Sequence, residues 1–585
     1  MTEPMHDDAT RRQFLLSGGA IAALTVAPGA MAAVRARTAA PAPQDPQQAP
    51  QAEESDISLQ TMQEAQKVAG VDFSDAELEM TLRGVRGNAR QYRRRMEHAL
   101  ANGDAPGQRF DCRLAGMTFP TLTPFVRSGA DPGPLPSSDE DIAFAPVTAL
   151  SRWIQSGALS SKRLTEIYLG RLRQFGAKLE CVITITEELA RKQAERADAD
   201  LAAGRYRGPL HGIPWGGKDL LDTSDILTTW GAGPYKDRVP HADALVVRKL
   251  QDAGAVLVAK LTLGALAMGD HWYGGRTNNP FNYEQGSSGS SAGSAAATAA
   301  GLVGFAIGTE TLGSIVSPCM RCGTTGLRPT FGRVARSGAM ALCWSLDKIG
   351  PICRAAEDSI LVLNAIHGAD RGDPSSLDMN LNFDARMPVK GLRMGYVPAW
   401  FEPTDNERQR ETREIEIKAL EVAKSLGVEP VELEFPDWPY GALMAILSTE
   451  AAAAFEELTL TNRDDLLKRQ DAGAWPNSFR EARFIPAVEY VQAERLRRQC
   501  MHMMASQFER VDFILGPSYA GNILLITNNT GHPSLTIRAG FRESGAPHGV
   551  TLIGNLFDEG TICRVGMEME AKLGVWDRRP ELTSS

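Results

Sequence analysis

From about residue 142 onward, short apolar runs alternate with segments of helical spacing, and this alternation constrains the fold more than any other feature of the chain. Helical patterns cover residues 188–204, 243–254, an Ala-rich stretch at 293–301, about 406–426, and 487–508. Apolar runs at 255–259, 302–307 and 511–515 lie between or beside them. Strand-length runs set among helices need a sheet with helices layered on it, so the predicted class is α/β. No fixed-period repeat is present. At 585 residues, the chain calls for several domains or one unusually large enzyme core.

The regions before this body read differently. Thr10-Arg11-Arg12-Gln13-Phe14-Leu15-Leu16 precedes an apolar stretch and Ala30-Met31-Ala32. Paired arginines, a Phe-Leu pair and small residues at an A-x-A site resemble a twin-arginine export signal over residues 1–32. Such a signal implies transport by the twin-arginine machinery and a periplasmic or secreted location. Residues 33–57 are rich in Ala, Pro and Gln, which cannot bury enough apolar surface to order, and read as a linker. Residues 58–138 read as a helical arm and connection, with Arg90, Arg93, Arg94 and Arg95 on a solvated helix face. The main body spans 139–578. A net charge of −9 gives no global attraction for nucleic acid or anionic membranes. No apolar run is long enough to span a bilayer. Eight cysteines are too few for a disulfide scaffold, and Cys319 and Cys322 read as buried free thiols.

Three segments carry residues suited to chemistry. The first, Gly212-Ile213-Pro214-Trp215-Gly216-Gly217-Lys218-Asp219, fits a phosphate-loop spacing. Asp219 nevertheless stands where that loop needs a hydroxyl, and Pro214 removes a donor. What remains is a lysine placed where a fold can enclose its amine. The second runs from Gly286 through Gly289-Ser290-Ser291-Ala292-Gly293 to Ser294. Its centre matches the G-x-S-x-G elbow of hydrolases, which would make Ser291 a nucleophile. An elbow needs a strand before it, whereas residues 278–285 read as turn-rich. The third, Gly308-Thr309-Glu310-Thr311-Leu312-Gly313-Ser314-Ile315, follows an apolar run. A serine after a tight turn, with free N–H groups ahead of it, suits a nucleophile beside an oxyanion hole. His211 either lines the site or packs structurally, and no histidine pair has zinc-ligand spacing.

In order and spacing, these segments together resemble the amidase signature family of serine hydrolases. Cys322-Gly323-Thr324-Thr325-Gly326-Leu327-Arg328-Pro329-Thr330 and a late Asn529-Thr530-Gly531-His532-Pro533 continue the match, with core motifs at 205–335. The resemblance implies a central mixed, twisted sheet covered by helices on both faces, and no cofactor or metal. It implies Ser314 as the acylating nucleophile, Ser290 as a bridging serine after a cis peptide, and Lys218 as the base. A lysine base must be uncharged, and burial without a carboxylate partner lowers its pKa. The backbone N–H groups of Thr311, Leu312, Gly313 and Ser314 are expected to form the oxyanion hole, with Gly289, Ser291, Asp219 and Glu310 supporting the site. The chain departs from the family pattern at Ser288, Ala292, Glu310, Leu312 and Val316. Leu312 and Val316 bear on the shape of the pocket floor, and residues 355–507 are expected to shape the acyl pocket. The implied activity is hydrolysis of a small-molecule amide. The alternatives are an amidotransferase-type subunit that delivers ammonia to a partner and a non-catalytic exported binding protein.

Overall fold

The computed structural model describes residues 57–98 and 100–582. The expected export signal and the linker through residue 56 lie outside the described residues. From Leu59 onward the chain forms one compact unit. It opens with α1 (Leu59–Ala69) and α2 (Asp75–Met96). Ser74 accepts from Glu77 N, and Glu77 reaches back to the Ser74 N–H. This reciprocal box satisfies two of the donors a helix start leaves open. Arg95 of α2 pairs with Glu456 on the main body.

The body begins with α3 (Asp139–Phe144), α4 (Val147–Gln155) and α5 (Ser161–Leu179). Next come β1 (Val182–Ile185), α6 (Glu187–Ala202), β2 (Pro214–Lys218), α7 (Leu245–Asp252) and β3 (Val256–Leu261). Two short ribbons follow, β4 (His271–Trp272) with β5 (Gly275–Arg276), and β6 (Asn278–Asn279) with β7 (Asn282–Gly286). The middle of the chain supplies α8 (Ala292–Ala299), β8 (Phe305–Glu310), α9 (Val316–Cys322), β9 (Thr325–Arg328), β10 (Lys348–Cys353) and α10 (Ala356–Ile366). Beyond it lie β11 (Arg393–Tyr396), α11 (Glu407–Lys424), β12 (Glu429–Glu432), α12 (Met444–Ala454), α13 (Glu456–Leu460), α14 (Trp475–Ala482) and α15 (Ala487–Arg510). The last elements are β13 (Phe513–Pro517), α16 (Ile523–Thr530), β14 (Ser534–Phe541), β15 (Pro547–Gly554) and α17 (Glu559–Leu573).

Eleven strands form one sheet in the order β1-β3-β2-β8-β10-β9-β14-β15-β13-β11-β12. It is mixed: β2 runs parallel to both β3 and β8, whereas β10 is antiparallel to β8 and β9. Helices cover both faces. On one, α17 packs so closely that a Cβ on Gly566 would collide with Leu535 of β14. On the other, Met320 of α9 lies against Gly549 of β15, and Cys319 against Gly326 of β9.

One strand was not anticipated, and one local outcome differs from the sequence expectation. The Gly/Pro-rich segment ending in Lys218, to which the sequence analysis assigned no element, is a fully buried central strand, β2. Gly216 leaves room for Leu261 of the neighbouring strand, which a Cβ would strike. The turn-rich residues 278–285 form the β6–β7 ribbon, closed by Asn279 Oδ1 accepting from Phe281 N at 3.0 Å.

Candidate active site

Because β2 and β8 are parallel neighbours, their carboxyl ends lie at the same edge of the sheet. Ligands of open α/β sheets bind at such edges. Lys218 ends β2, Glu310 ends β8, and the turn 311–315 links β8 to α9. The Gly/Ser loop comes to the same place from β7 and leads into α8. All eight residues of α8 are buried, and its small side chains let it lie against the sheet.

Lys218 is fully buried, and no carboxylate among the described residues lies within ion-pair distance of its amine. Its Nζ stands 2.9 Å from Ser290 Oγ, 3.0 Å from Ser291 Oγ and 2.8 Å from Thr309 Oγ1. Burial pulls this amine from the usual 10.5 down to about 7, against the opposing pull of the Asp347 and Glu310 carboxylates. The surrounding bonds suit an uncharged amine. Ser291 Oγ donates to Thr309 O at 3.0 Å and accepts from Thr309 N at 3.1 Å, so it meets the lysine as an acceptor. An uncharged amine that turned its two N–H groups to Ser291 and Thr309 would present its lone pair to the Ser290 hydroxyl.

The Gly289–Ser290 peptide is cis. A side chain on Gly289 would collide with the Gly269 carbonyl, so this position accepts only glycine. The next residue joins the loop to the turn at 311–315, with Ser291 N donating to Ser314 O at 3.1 Å. Ser314 itself is 8% exposed. The side chains of Lys218, Ser290 and Ser291 therefore meet in one cluster, and Ser314 adjoins it through its backbone carbonyl, whereas His211 sits apart, between Ala197 O and Arg207 N.

Within the turn, Gly313 adopts φ +86, a left-handed conformation that favours glycine. The N–H groups of Leu312, Gly313 and Ser314 have no acceptor among the described residues. The next two N–H groups, of Ile315 and Val316, donate to Glu310 Oε2 at 2.8 and 3.0 Å. The other oxygen of Glu310 accepts from Arg328 at 2.8 Å and from Asn528 Nδ2 at 3.0 Å. Burial alone would raise the Glu310 carboxyl; the Arg328 charge and the Val316 N–H lead the effects that hold it down at about 2. Glu310 thus fixes the turn from its buried side. Thr311 is tied from the other side, its hydroxyl donating to Asp347 Oδ1 at 2.6 Å.

Asp219 does not face Lys218. Its Oδ2 accepts from Thr229 N and Oγ1 at 2.7 and 2.6 Å, and its Oδ1 lies 3.1 Å from the Nζ of a second buried lysine, Lys260. Cys319 and Cys322 are buried free thiols, and burial pushes Cys319 up to about 12. Sequence reasoning missed Thr309, Asp347, Lys260 and Asn528 and gave Arg328 no role. Thr309 and Arg328 stand inside quoted motifs, where an unassigned polar residue beside a buried lysine or carboxylate was the available signal. Asn528 lies 218 residues from its partner Glu310 and offers no local signal.

A family model described as Amidase matches residues 163–526. A Glutamyl-tRNA(Gln) amidotransferase subunit from Hahella chejuensis is 33% identical over 469 residues, 72% of this chain and 96% of its own length. Its counterpart from Lysinibacillus sphaericus is 34% identical over 463 residues, covering 71% and 94%. Among solved structures, native peptide amidase from Stenotrophomonas maltophilia matches with a TM-score of 0.66 and 29% identity, over 75% of this chain and 99% of that one. A bacterial aryl acylamidase of the amidase signature family matches in fold, with a TM-score of 0.65 and 22% identity, over 75% and 99%.

Proposed function

The chain belongs to the amidase family, and from that premise we propose that it is an exported amidase, hydrolysing a carboxamide to a carboxylate and ammonia or an amine through an acyl-enzyme on Ser314. One observation carries this reading: an enclosed amine without a carboxylate partner stands 2.9 Å from the Ser290 hydroxyl. In the reaction, Ser290 passes its proton to the Lys218 lone pair and takes the proton of Ser314, whose oxygen attacks the amide carbon. The tetrahedral oxyanion forms against the N–H groups at 311–314, where a single donor is worth roughly 2.7–4 kcal/mol of barrier. The same relay in reverse protonates the departing amine, and water repeats the cycle on the ester. Ser291 serves as a fixed acceptor that orients the lysine rather than as the attacking group.

A fluorophosphonate that labels serine nucleophiles tests the assignment. The full chain and Ser291→Ala should be labelled and Ser314→Ala should not; labelling that persists in Ser314→Ala overturns the reading. A second reading, as one component of an amidotransferase, draws support from the curated relatives, which are matched over nearly their whole length. Hydrolysis of simple amides by the purified chain alone favours the stand-alone enzyme, and activity that requires added partner proteins favours the second reading. The twin-arginine pattern around Arg11 and Arg12 supports the former, because an exported chain would be separated from cytoplasmic tRNA charging.

A further inference from the structure

We propose that Asn102, in the segment joining the N-terminal arm to the body, is a positioning residue for the turn at 311–314 and acts on it through Asp347. The proposal rests on the reading of Ser314 as the nucleophile. Asn102 precedes the residues that match the family model, 163–526, so the device is an addition to the matched part of the chain.

The turn has to present its N–H groups before the reaction begins, because donors aimed in advance need no reorganisation as the oxyanion forms. Its middle residues cannot hold it by side-chain hydrogen bonds, since Leu312 is apolar and Gly313 has no side chain. The far end is held by Glu310, through Ile315 N and Val316 N. The near end is held by Thr311, whose hydroxyl donates to Asp347 Oδ1 at 2.6 Å. Asp347 Oδ2 in turn accepts from Leu342 N at 2.8 Å and from Cys343 N at 3.0 Å. Residues 340–347 form neither helix nor strand, so the place of Asp347 depends on what pins this loop.

The second half of the loop is pinned by the body itself: Ser345 N donates to Glu450 Oε2 at 2.9 Å, and Arg336 donates to Trp344 O at 2.6 Å. The first half leans on the arm. Met340 N donates to Leu220 O at 3.0 Å, and the next residue is clamped by Asn102. Asn102 Oδ1 accepts from Ala341 N at 2.8 Å, and its Nδ2 donates to Ala341 O at 2.8 Å. Both main-chain polar groups of Ala341 thus meet one side chain, one residue before Leu342 N. Asn102 is itself fixed, because Nδ2 also donates to Ala454 O at 3.2 Å, at the end of α12. A turn closes around it, with Ala101 N donating to Asp104 Oδ2 at 2.8 Å and Asp104 N to Ala101 O at 2.9 Å. Gly103 and Ala105 share the wall of a cavity of about 90 Å3 with Thr309, Thr311 and Asp347, so this segment reaches the space beside the turn. Truncating Asn102 strips Ala341 of two partners and lets Leu342, Cys343 and Asp347 shift together.

The rate of fluorophosphonate labelling of the full chain reads the turn, since the phosphonate oxygen draws on the same donors as a tetrahedral oxyanion. Asn102→Ala should lower the maximal labelling rate about tenfold and keep the half-saturating probe concentration within about twofold, because misplaced donors act on the transition state. The final extent of labelling should not change. Thr311→Val deletes the hydroxyl link and should also cost about tenfold, yet the double variant should lose no more than about twentyfold, since both changes break one chain of contacts. Losses that multiply to about a hundredfold in the double variant, a loss confined to the half-saturating concentration, or a wild-type rate in Asn102→Ala would each overturn the inference. Absence of label on the wild-type chain, or label that persists in Ser314→Ala, overturns the Ser314 reading and the inference with it.

Discussion

At the scale of single residues, two buried lysines invite comparison. Lys218 and Lys348 are both pulled down to about 7, in each case chiefly by burial. Only Lys218 has hydrogen-bond partners; Lys348 Nζ has none among the described residues. If uncharged Lys218 is the base, activity falls as pH drops below about 7, where the lone pair takes a proton, and reaches a plateau above it. Lys348→Met should leave that limb in place and raise stability by about 1–3 kcal/mol, since it deletes an unpaired buried donor. pH–rate profiles and urea melts check both outcomes, and a limb that vanishes in Lys348→Met would refute the assignment to Lys218. Glu310 behaves oppositely. Its folded value of about 2 lies below the ordinary 4.5, so the stability it confers is complete above pH 4.5 and is lost as pH falls from there towards 2. Glu310→Gln leaves the Arg328 guanidinium buried and unpaired, which should cost about 3–5 kcal/mol at pH 7. The gap between the two proteins should narrow in acid, as urea titrations at several pH values would record. The types and positions of Lys218, Ser290 and Ser314 were legible in the sequence. The carboxylate that fixes the turn was legible only as a residue, and its partners were not.

Among the elements, the helical patterns singled out in the sequence matched to within a few residues, because their apolar spacing is local, whereas α5 and α17 were not singled out. The pattern at 188–204 became Glu187–Ala202, and that at 487–508 became Ala487–Arg510. The strand that carries the lysine was not legible, since Pro214, Gly216 and Gly217 argue locally against a central strand. Its neighbours decide the matter, with β3 and β8 supplying parallel ladders on both sides. α8 depends on similar closeness. A Cβ on Gly293 would stand 2.5 Å from Cys181 O and from Thr262 N, both backbone atoms that have little room to yield. Gly293→Ala should therefore destabilise by at least about 1–3 kcal/mol. It should also lower activity by shifting the loop that carries Ser290; measured melting and labelling rates indistinguishable from wild type would contradict this.

For the whole molecule, transport is the outstanding expectation. A folded reporter carrying residues 1–35 should cross the bacterial inner membrane, and replacing both Arg11 and Arg12 by Lys should retain it in the cytoplasm, as cell fractionation would detect. No helix among the described residues is long and apolar enough to span a bilayer. By itself, the sequence determined the α/β class, several of the helices and the candidate site residues Lys218, Ser290 and Ser314, because these follow from short-range spacing and ordered motifs. Tertiary structure alone decided which groups enclose Lys218 and draw its amine down to about 7, that Asp219 serves Lys260 instead, and that Glu310 is held by Arg328 and Asn528. Burial and partner choice arise where strands and helices distant in the chain converge, and local sequence carries no record of which side chain will meet which.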